Sequence, residues 1–331
     1  MDKPECLCDI FSKLNLDDIE KVVKEAYHRE DGPGRPPRKP MGIFKALLVK
    51  RFLQVPSERE LCNRLWTDEN LRELCDIEAE QNPYDHSQLS RFKKRVGSRR
   101  LQRIMNKLVK KLLKCGVISG ETVVLDATFV KAYSRRDPHD NSCGKSDPQA
   151  RVGRDGKTYE LGYKLHIATD ARSELPLAVV AASANENEKK HAWALFGKAW
   201  KATEHRTTTL IADSQYSSKK LREQLSECRV KAVIPYPANQ NKKEANVLRV
   251  DKYFRTHGPA EERLIYRQRG GIERVNSRQK EQLCLERHRA RGLERLTFQG
   301  LLCIIAMLLT AYAAFSVNRL EKVRSITWLA R

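Results

Sequence analysis

The sequence predicts an α/β fold, in which an all-α region precedes a mixed-sheet domain, and three observations carry that prediction. Two short β-branched runs, Thr122-Val123-Val124-Leu125 and Thr209-Leu210-Ile211-Ala212, are bounded by polar residues, as strands buried on both faces tend to be. Strand and helix patterns alternate after the first run, whereas the segment from Met41 to Cys115 repeats its apolar residues at three and four, the period of helices with one buried face. With 331 residues the chain can bury a sizeable core and form two domains.

Residues 1–29 read as one or two short helices, with Ile19, Val22 and Val23 turned inward and Asp17, Asp18 and Glu20 solvated. Residues 30–40, EDGPGRPPRKP, hold four prolines and two glycines and break any regular structure. This stretch is a basic linker; its Arg35 and Arg38 also resemble arms that enter narrow minor grooves. The helical region 41–116 follows. Ile43, Phe44, Leu47, Leu48 and Phe52 make one amphipathic helix, and the capping box from Ser57 to Glu60 opens a second. A third starts after Asp68. Asp85 to Gln88 opens a basic helix carrying Arg91, Lys93, Lys94 and Arg95, an arrangement like a helix-turn-helix relative or, more simply, a solvated basic face. Leu101 to Cys115 is a longer helix that Gly116 ends.

Strands are expected at 122–128, around 159–169 and at 176–183, then a helix from Glu188 to Thr203. The strand ending at Asp213, a helix from Ser218 to Cys228 and a strand from Ala232 to Pro235 complete the pattern. Three strands followed by alternating helix and strand is the order of an RNase H-like fold, here assigned to residues 117–318, with 319–331 left as a basic tail. Phe129 to Gly156 reads as a polar loop, and its His139 and Cys143 are better taken as loop residues than as zinc ligands. Cys6-x-Cys8 has no second pair at zinc spacing. From Leu296 to Val317 no residue is charged. A helix of that length, at about 1.5 Å per residue, could span a bilayer core of about 30 Å, or equally pack on the sheet as a buried helix.

Lys and Arg total 63 against 42 Asp and Glu, a formal charge of +21. Such a chain expects a polyanion, nucleic acid first and a membrane surface second. Nine cysteines at irregular positions, with no secretory signal at the start, point to a reducing, cytoplasmic compartment.

The stretch YRQRGGIERVNSRQK sets Tyr266, Arg269, Glu273 and Lys280 at steps of three, four and seven. On a continuous helix those steps return all four side chains to one stripe, although Gly270-Gly271 puts the helix start near Ile272. None of the four is apolar, so the stripe suits phosphates: Glu273 holding a metal ion, Arg269 and Lys280 gripping a strand. One glutamate cannot hold two divalent ions. Asp126 and Asp213, each closing one of the β-branched runs, supply the further carboxylates at strand ends.

These residues resemble a known family, the DDE transposases of prokaryotic insertion sequences. Tyr266, Arg269, Glu273 and Lys280 reproduce its Y-(2)-R-(3)-E-(6)-K signature, LDATFV around Asp126 is similar to its first aspartate motif, and IADSQYSS around Asp213 to its second. SDPQARVGRDGKTYELGYKLHIATD, LPLAVVAASANENE and NPYDHSQLSRFKKRVG match in order, although SANENE lacks an aspartate often found there. Lys164 and His166, in GYKLH, lie two apart on one side of a strand, near the site but outside the catalytic set.

The resemblance implies an RNase H-like catalytic domain in which Asp126, Asp213 and Glu273 bind two Mg2+ or Mn2+ ions, Asp126 bridging both. It implies that Tyr266, Arg269 and Lys280 contact phosphates beside the cut. The substrate would be double-stranded DNA, the inverted-repeat ends of a mobile element and a target, cleaved and joined by a homodimer in the cytoplasm at the nucleoid. Arg287 and Arg289 extend the basic surface toward flanking DNA. Two alternatives remain at this stage: a nuclease on the same fold, and an inactive DNA-binding relative.

Overall fold

The computed structural model describes Leu7, Phe11 and residues 14–27, 38–237 and 260–329. Arg35, Cys6, Cys8 and the polar stretch Asn239 to Asn246 lie outside them. The chain forms two compact units interleaved along the sequence, one of residues 1–108, 278–290 and 294–331 and the other of 109–277 and 291–293. The sequence boundaries run differently, at 41–116 and 117–318.

In the first unit, α1 (Asp17–Lys24) buries Ile19, Val22 and Val23, as their spacing requires. Helices α2 (Pro40–Phe52), α3 (Glu58–Thr67) and α4 (Glu69–Leu74) follow. Ser57 Oγ accepts the Glu60 N–H at 3.0 Å and Asp68 Oδ1 accepts that of Leu71 at 3.0 Å, so both starts are capped as the sequence predicts. Helix α5 (His86–Lys114) joins the two helices expected from Asp85 and from Leu101, with a kink where Gly97 takes φ 63° and ψ 171°. Asp85 Oδ1 caps the Ser87 and Gln88 N–H groups, and Gln88 Oε1 returns a bond from Asp85 N.

The uncharged C-terminal run lies in this helical unit, a correction to its expected place on the sheet. It has the length and hydropathy of a membrane span, yet 89% of its apolar window is buried inside the protein. The buried guanidinium of Arg51 on α2 donates to the Leu283 and Cys284 carbonyls at 3.2 and 3.0 Å and to Gln299. Those bonds join α2 to the run and to the segment before it, within one apolar body.

The second unit is built on β1 (Thr122–Lys131), β2 (Cys143–Gly144), β3 (Asp147–Asp155), β4 (Thr158–Asp170) and β5 (Pro176–Ser183). After them come α6 (Lys189–Ala202), β6 (Thr209–Ala212), α7 (Lys219–Glu227) and β7 (Lys231–Val233). The described strands form one sheet in the order β2-β3-β4-β1-β6-β7, with β5 also on β4. β1, β4 and β5 pair antiparallel, while β6 and β7 run parallel to β1. Three antiparallel strands flanked by two parallel ones is the RNase H-like arrangement the sequence order predicts. The expected polar loop from Phe129 to Gly156 is a correction: it contains the end of β1, β2 and all of β3. Its signal was a turn, because Asp155 pairs with Thr158 across Gly156-Lys157 and Gly156 takes φ 59°.

Strand β6 is only four residues long, and its pairing with β1 stops at Leu125↔Ala212. Asp126 and Asp213 are therefore the next residues on two parallel neighbours, side by side where the sheet opens. Helices α8 (Ala260–Arg267) and α9 (Gly270–Ser277) cover one face of the strands, with Tyr266 and Ile272 packed on Val124, Ile211 and Val233. Helix α6 packs on β1, β4 and β5.

Candidate active site

Asp126 shares the face of Val124, two residues back on β1, which turns its carboxylate toward α9. Asp213 leaves β6 in extended backbone and caps the 3-10 turn Ser214–Tyr216, its Oδ1 accepting the Gln215 N–H at 3.1 Å. Glu273 stands in the first turn of α9.

The three acids meet at one cation. Arg269 Nη2 lies 3.3 Å from Asp126 Oδ1 and 3.9 Å from Asp213 Oδ2, and Nη1 lies 3.4 Å from Glu273 Oε1. Asn276 donates to the other Asp126 oxygen at 3.1 Å. The aspartate side chains are 14% and 16% exposed, and that of Glu273 is 63% exposed. Burial raises the Asp126 carboxyl above its ordinary value, against the opposing pull of the Arg269 charge. A further cation would relieve that desolvation.

An open cavity of about 640 Å3 adjoins the acids and is lined by Asp126, Asp213, Lys164, Glu188, Arg154 and Tyr216, among others. Lys164 and Glu188 form a mostly buried ion pair at 2.6 Å. Behind them His166 Nδ1 meets Tyr216 Oη at 2.9 Å, and the His166 ring lies 4.7 Å from that of His191. Burial, then the His191 and Lys164 charges, lowers the His166 pKa to about 3, which keeps the ring neutral. Burial, then the charges of Asp126, Asp213 and Glu188, holds the Tyr216 phenol well above its usual value.

Tyr266, Arg269, Glu273 and Lys280 do not share one helical stripe. Gln268 and Arg269 form a turn between α8 and α9, closed by Gly271 N to Gln268 O at 3.0 Å and Ile272 N to Arg269 O at 3.1 Å. The helical run ends at Arg267, before the paired glycines, and α9 begins on them at Gly270 rather than near Ile272. Tyr266 is 1% exposed in the core beneath the acids, so in this placement it offers no surface to a phosphate. Lys280 falls in the first unit, on a π-helical turn, paired with Glu286 at 2.9 Å.

Of the other cations expected at DNA, Arg91, Lys94 and Arg95 are exposed on α5, with Arg95 5.0 Å over the Tyr27 ring, and Lys93 pairs with Glu58. Arg38 is bonded to the Asn82 carbonyl, while Arg287 and Arg289 are exposed. Two site residues escaped sequence reasoning. Asn276 follows Glu273 by one helical turn, a spacing that could have found it; Glu188 ends the matched LPLAVVAASANENE stretch.

The acids gather hard oxygen donors around a positive centre, the donor chemistry of magnesium or manganese. As they stand, no three acidic, histidine or cysteine side chains among the described residues converge closely enough to hold a metal ion, because the Arg269 guanidinium fills the space between the carboxylates. It marks the position that a metal cation suits.

Family models match the chain twice: "Transposase DDE domain" over residues 119–309, more than half its length, and "Transposase domain (DUF772)" over residues 2–95. Among solved structures it is similar to a piggyBac transposase synaptic complex with hairpin DNA, at 13% identity and a TM-score of 0.46, covering 97% of this chain and 79% of that one. It is also similar to a Mos1 transposase paired-end complex with left transposon end, at 10% identity and a TM-score of 0.23, covering 78% and 82%. Both scores are below 0.5, and the assignment rests on the family match.

Proposed function

The chain belongs to the DDE transposase family, and on that premise we propose that Asp126, Asp213 and Glu273 hold two Mg2+ or Mn2+ ions for cleavage and joining of DNA. The observation that carries this reading is the approach of three carboxylates to one guanidinium at 3.3 to 3.9 Å where the sheet opens. When bound, the ions supply Lewis-acid activation of a water or a 3' hydroxyl and neutralise charge on the leaving oxygen.

The protein's own contribution is positioning. β1 and β6 hold the two aspartates side by side, Asn276 fixes the Asp126 carboxylate through its second oxygen, and α9 brings Glu273 to them. Arg269, once released from the acids, offers a planar guanidinium to a phosphate oxygen. Tyr266 supports the site from the core, and Lys280 contacts phosphate beside the cut. The exposed Arg91, Lys94, Arg95, Arg287 and Arg289, together with Lys93, Arg35 and Arg38, grip the inverted-repeat ends and target through the backbone. Two ends processed together call for a homodimer on the DNA, acting in the cytoplasm at the nucleoid. The helical segment 41–116 serves as the end-binding region and 117–318 as the catalytic one.

The test is cleavage of a labelled duplex carrying the flanking inverted repeat, in magnesium, manganese or chelator, by the native chain and by Glu273→Gln. The expected result is metal-dependent nicking at the repeat boundary, lost in the variant while DNA binding survives. Strand-joined product separates a transposase from a nuclease. Tight binding without cleavage in either metal would overturn the metal assignment.

A further inference from the structure

Glu273 is the most weakly held of the three acids. Its side chain is 63% exposed, and α9 is a helix of eight residues that opens on two glycines. Ile272 and Val275 anchor one flank of that helix in the core, being fully buried. Those two anchors hold the helix along one apolar edge and Asn276 adds a single bond to Asp126 at 3.1 Å; a roll about that edge would carry Glu273 away from the aspartates.

The neighbouring residue opposes that roll. Arg274 grips Glu174 with both ends of its fork: Nε lies 3.1 and 3.2 Å from the two carboxylate oxygens and Nη2 2.6 Å from Oε1. Glu174 is 3% exposed and sits in the β4–β5 turn at φ 55°. That turn is rigid. The buried Asp170 carboxylate accepts Ser173 N and Oγ at 2.8 and 2.7 Å, and Ser119 Oγ and Gly120 N at 3.1 and 2.8 Å. A second observation points to the same contact from the helix side. A Cβ on Gly271 would lie 3.2 Å from Glu174 Cγ, so the second glycine of the pair is the residue that lets α9 close on the glutamate.

We propose that Glu174 is a positioning residue for the reaction: through Arg274 it fixes the rotation of α9 and so holds Glu273 at the metal-binding acids. It touches neither DNA nor metal. A bidentate carboxylate–guanidinium pair defines an angle as well as a distance, which a single apolar contact cannot do. The inference rests on the metal-binding assignment of Glu273.

The experiment compares wild type, Glu174→Gln, Arg274→Gln and the double variant. Arg274→Gln takes the guanidinium from a buried carboxylate, whereas Glu174→Gln neutralises the buried partner and leaves Arg274 largely exposed, so Glu174→Gln carries the test where Arg274→Gln does not fold, and thermal melts check each protein. Mn2+ binding is measured by titration without DNA, and cleavage of the inverted-repeat duplex at varied DNA and Mg2+. Supporting groups around metal ligands typically change metal affinity by about 10- to 100-fold. The expected result is a loss of about tenfold in Mn2+ affinity and in kcat for either single variant, KM for DNA unchanged within about twofold, and a double variant no worse than the singles. Unchanged Mn2+ affinity in either folded single variant, or additive losses in the double variant, overturns the proposal while leaving the metal assignment standing. A wild type that neither binds Mn2+ nor cleaves overturns both.

Discussion

Replacing Arg269 with glutamine removes the one guanidinium that three carboxylates share, and its consequence can be worked from the geometry. Asp126 and Asp213 are mostly buried, whereas Glu273 is largely solvated and contributes little once screened. Removing one partner of a buried pair costs about 3–5 kcal/mol. The lower end applies here, because Asp126 keeps its bond from Asn276 and Asp213 its bond from the Gln215 N–H. A loss of about 3 kcal/mol lowers Tm by roughly 6–12 °C for a unit of this size. Divalent ions reverse it, since a ligand at about 100 times its Kd contributes about 2.7 kcal/mol.

The pH dependence has a definite sign. Burial holds the Asp126 carboxyl above its ordinary value in the fold, and loss of Arg269 removes a charge that opposes this rise. The folded state then binds the proton more tightly than the unfolded state, so the variant loses stability as pH rises from the ordinary carboxylate value through the raised one. The assay is thermal melting in chelator and in saturating Mg2+ or Mn2+, at several pH values. Coincident melts of variant and wild type in chelator, or no recovery in metal, would refute the reasoning.

Two further outcomes are expected. Glu188→Gln takes the charge partner at 2.6 Å from the Lys164 ammonium, both side chains being mostly buried, and leaves it a long bond to the Glu186 carbonyl at 3.4 Å. It should cost about 3 kcal/mol in urea unfolding, whereas the double change Lys164→Met with Glu188→Leu should cost far less; equal losses would sink this account. His166, with its pKa lowered to about 3 in the fold, contributes stability that is complete above about pH 6.5 and lost as pH falls. Relative to His166→Gln, wild type should lose roughly 1.4 kcal/mol per pH unit between pH 6 and 4, and parallel slopes in urea unfolding would contradict the assignment.

The sheet was legible because its strands are punctuated. The β-branched runs lead into aspartates at Asp126 and Asp213; β6 ends at Ala212 as read, whereas β1 continues to Lys131 and only its pairing with β6 stops before Asp126. The edge ribbon of β2 and β3 was not legible, since residues 147–155 are buried only at Asp147, Ala150 and Gly153, without the alternation of a half-buried strand, over a sequence of mixed polar residues. Periodicity also misplaced Tyr266. A spacing of seven to Glu273 means one helical stripe only if the helix is continuous, and the turn at Gln268-Arg269 turns the phenol into the core.

By itself, the sequence determined the chemistry: a surplus of cations suited to a polyanion, three acids beside recognisable elements, and the chain order of three strands followed by alternating helix and strand. These are local properties of composition, period and chain order. Only the tertiary structure decided which groups meet. Arg269 stands among the acids, Glu174 reaches Arg274 from 100 residues away, and the one described helix long and apolar enough to cross a membrane is buried inside the protein. Such contacts depend on how elements distant in sequence pack, and packing is set by the whole core rather than by any window of residues.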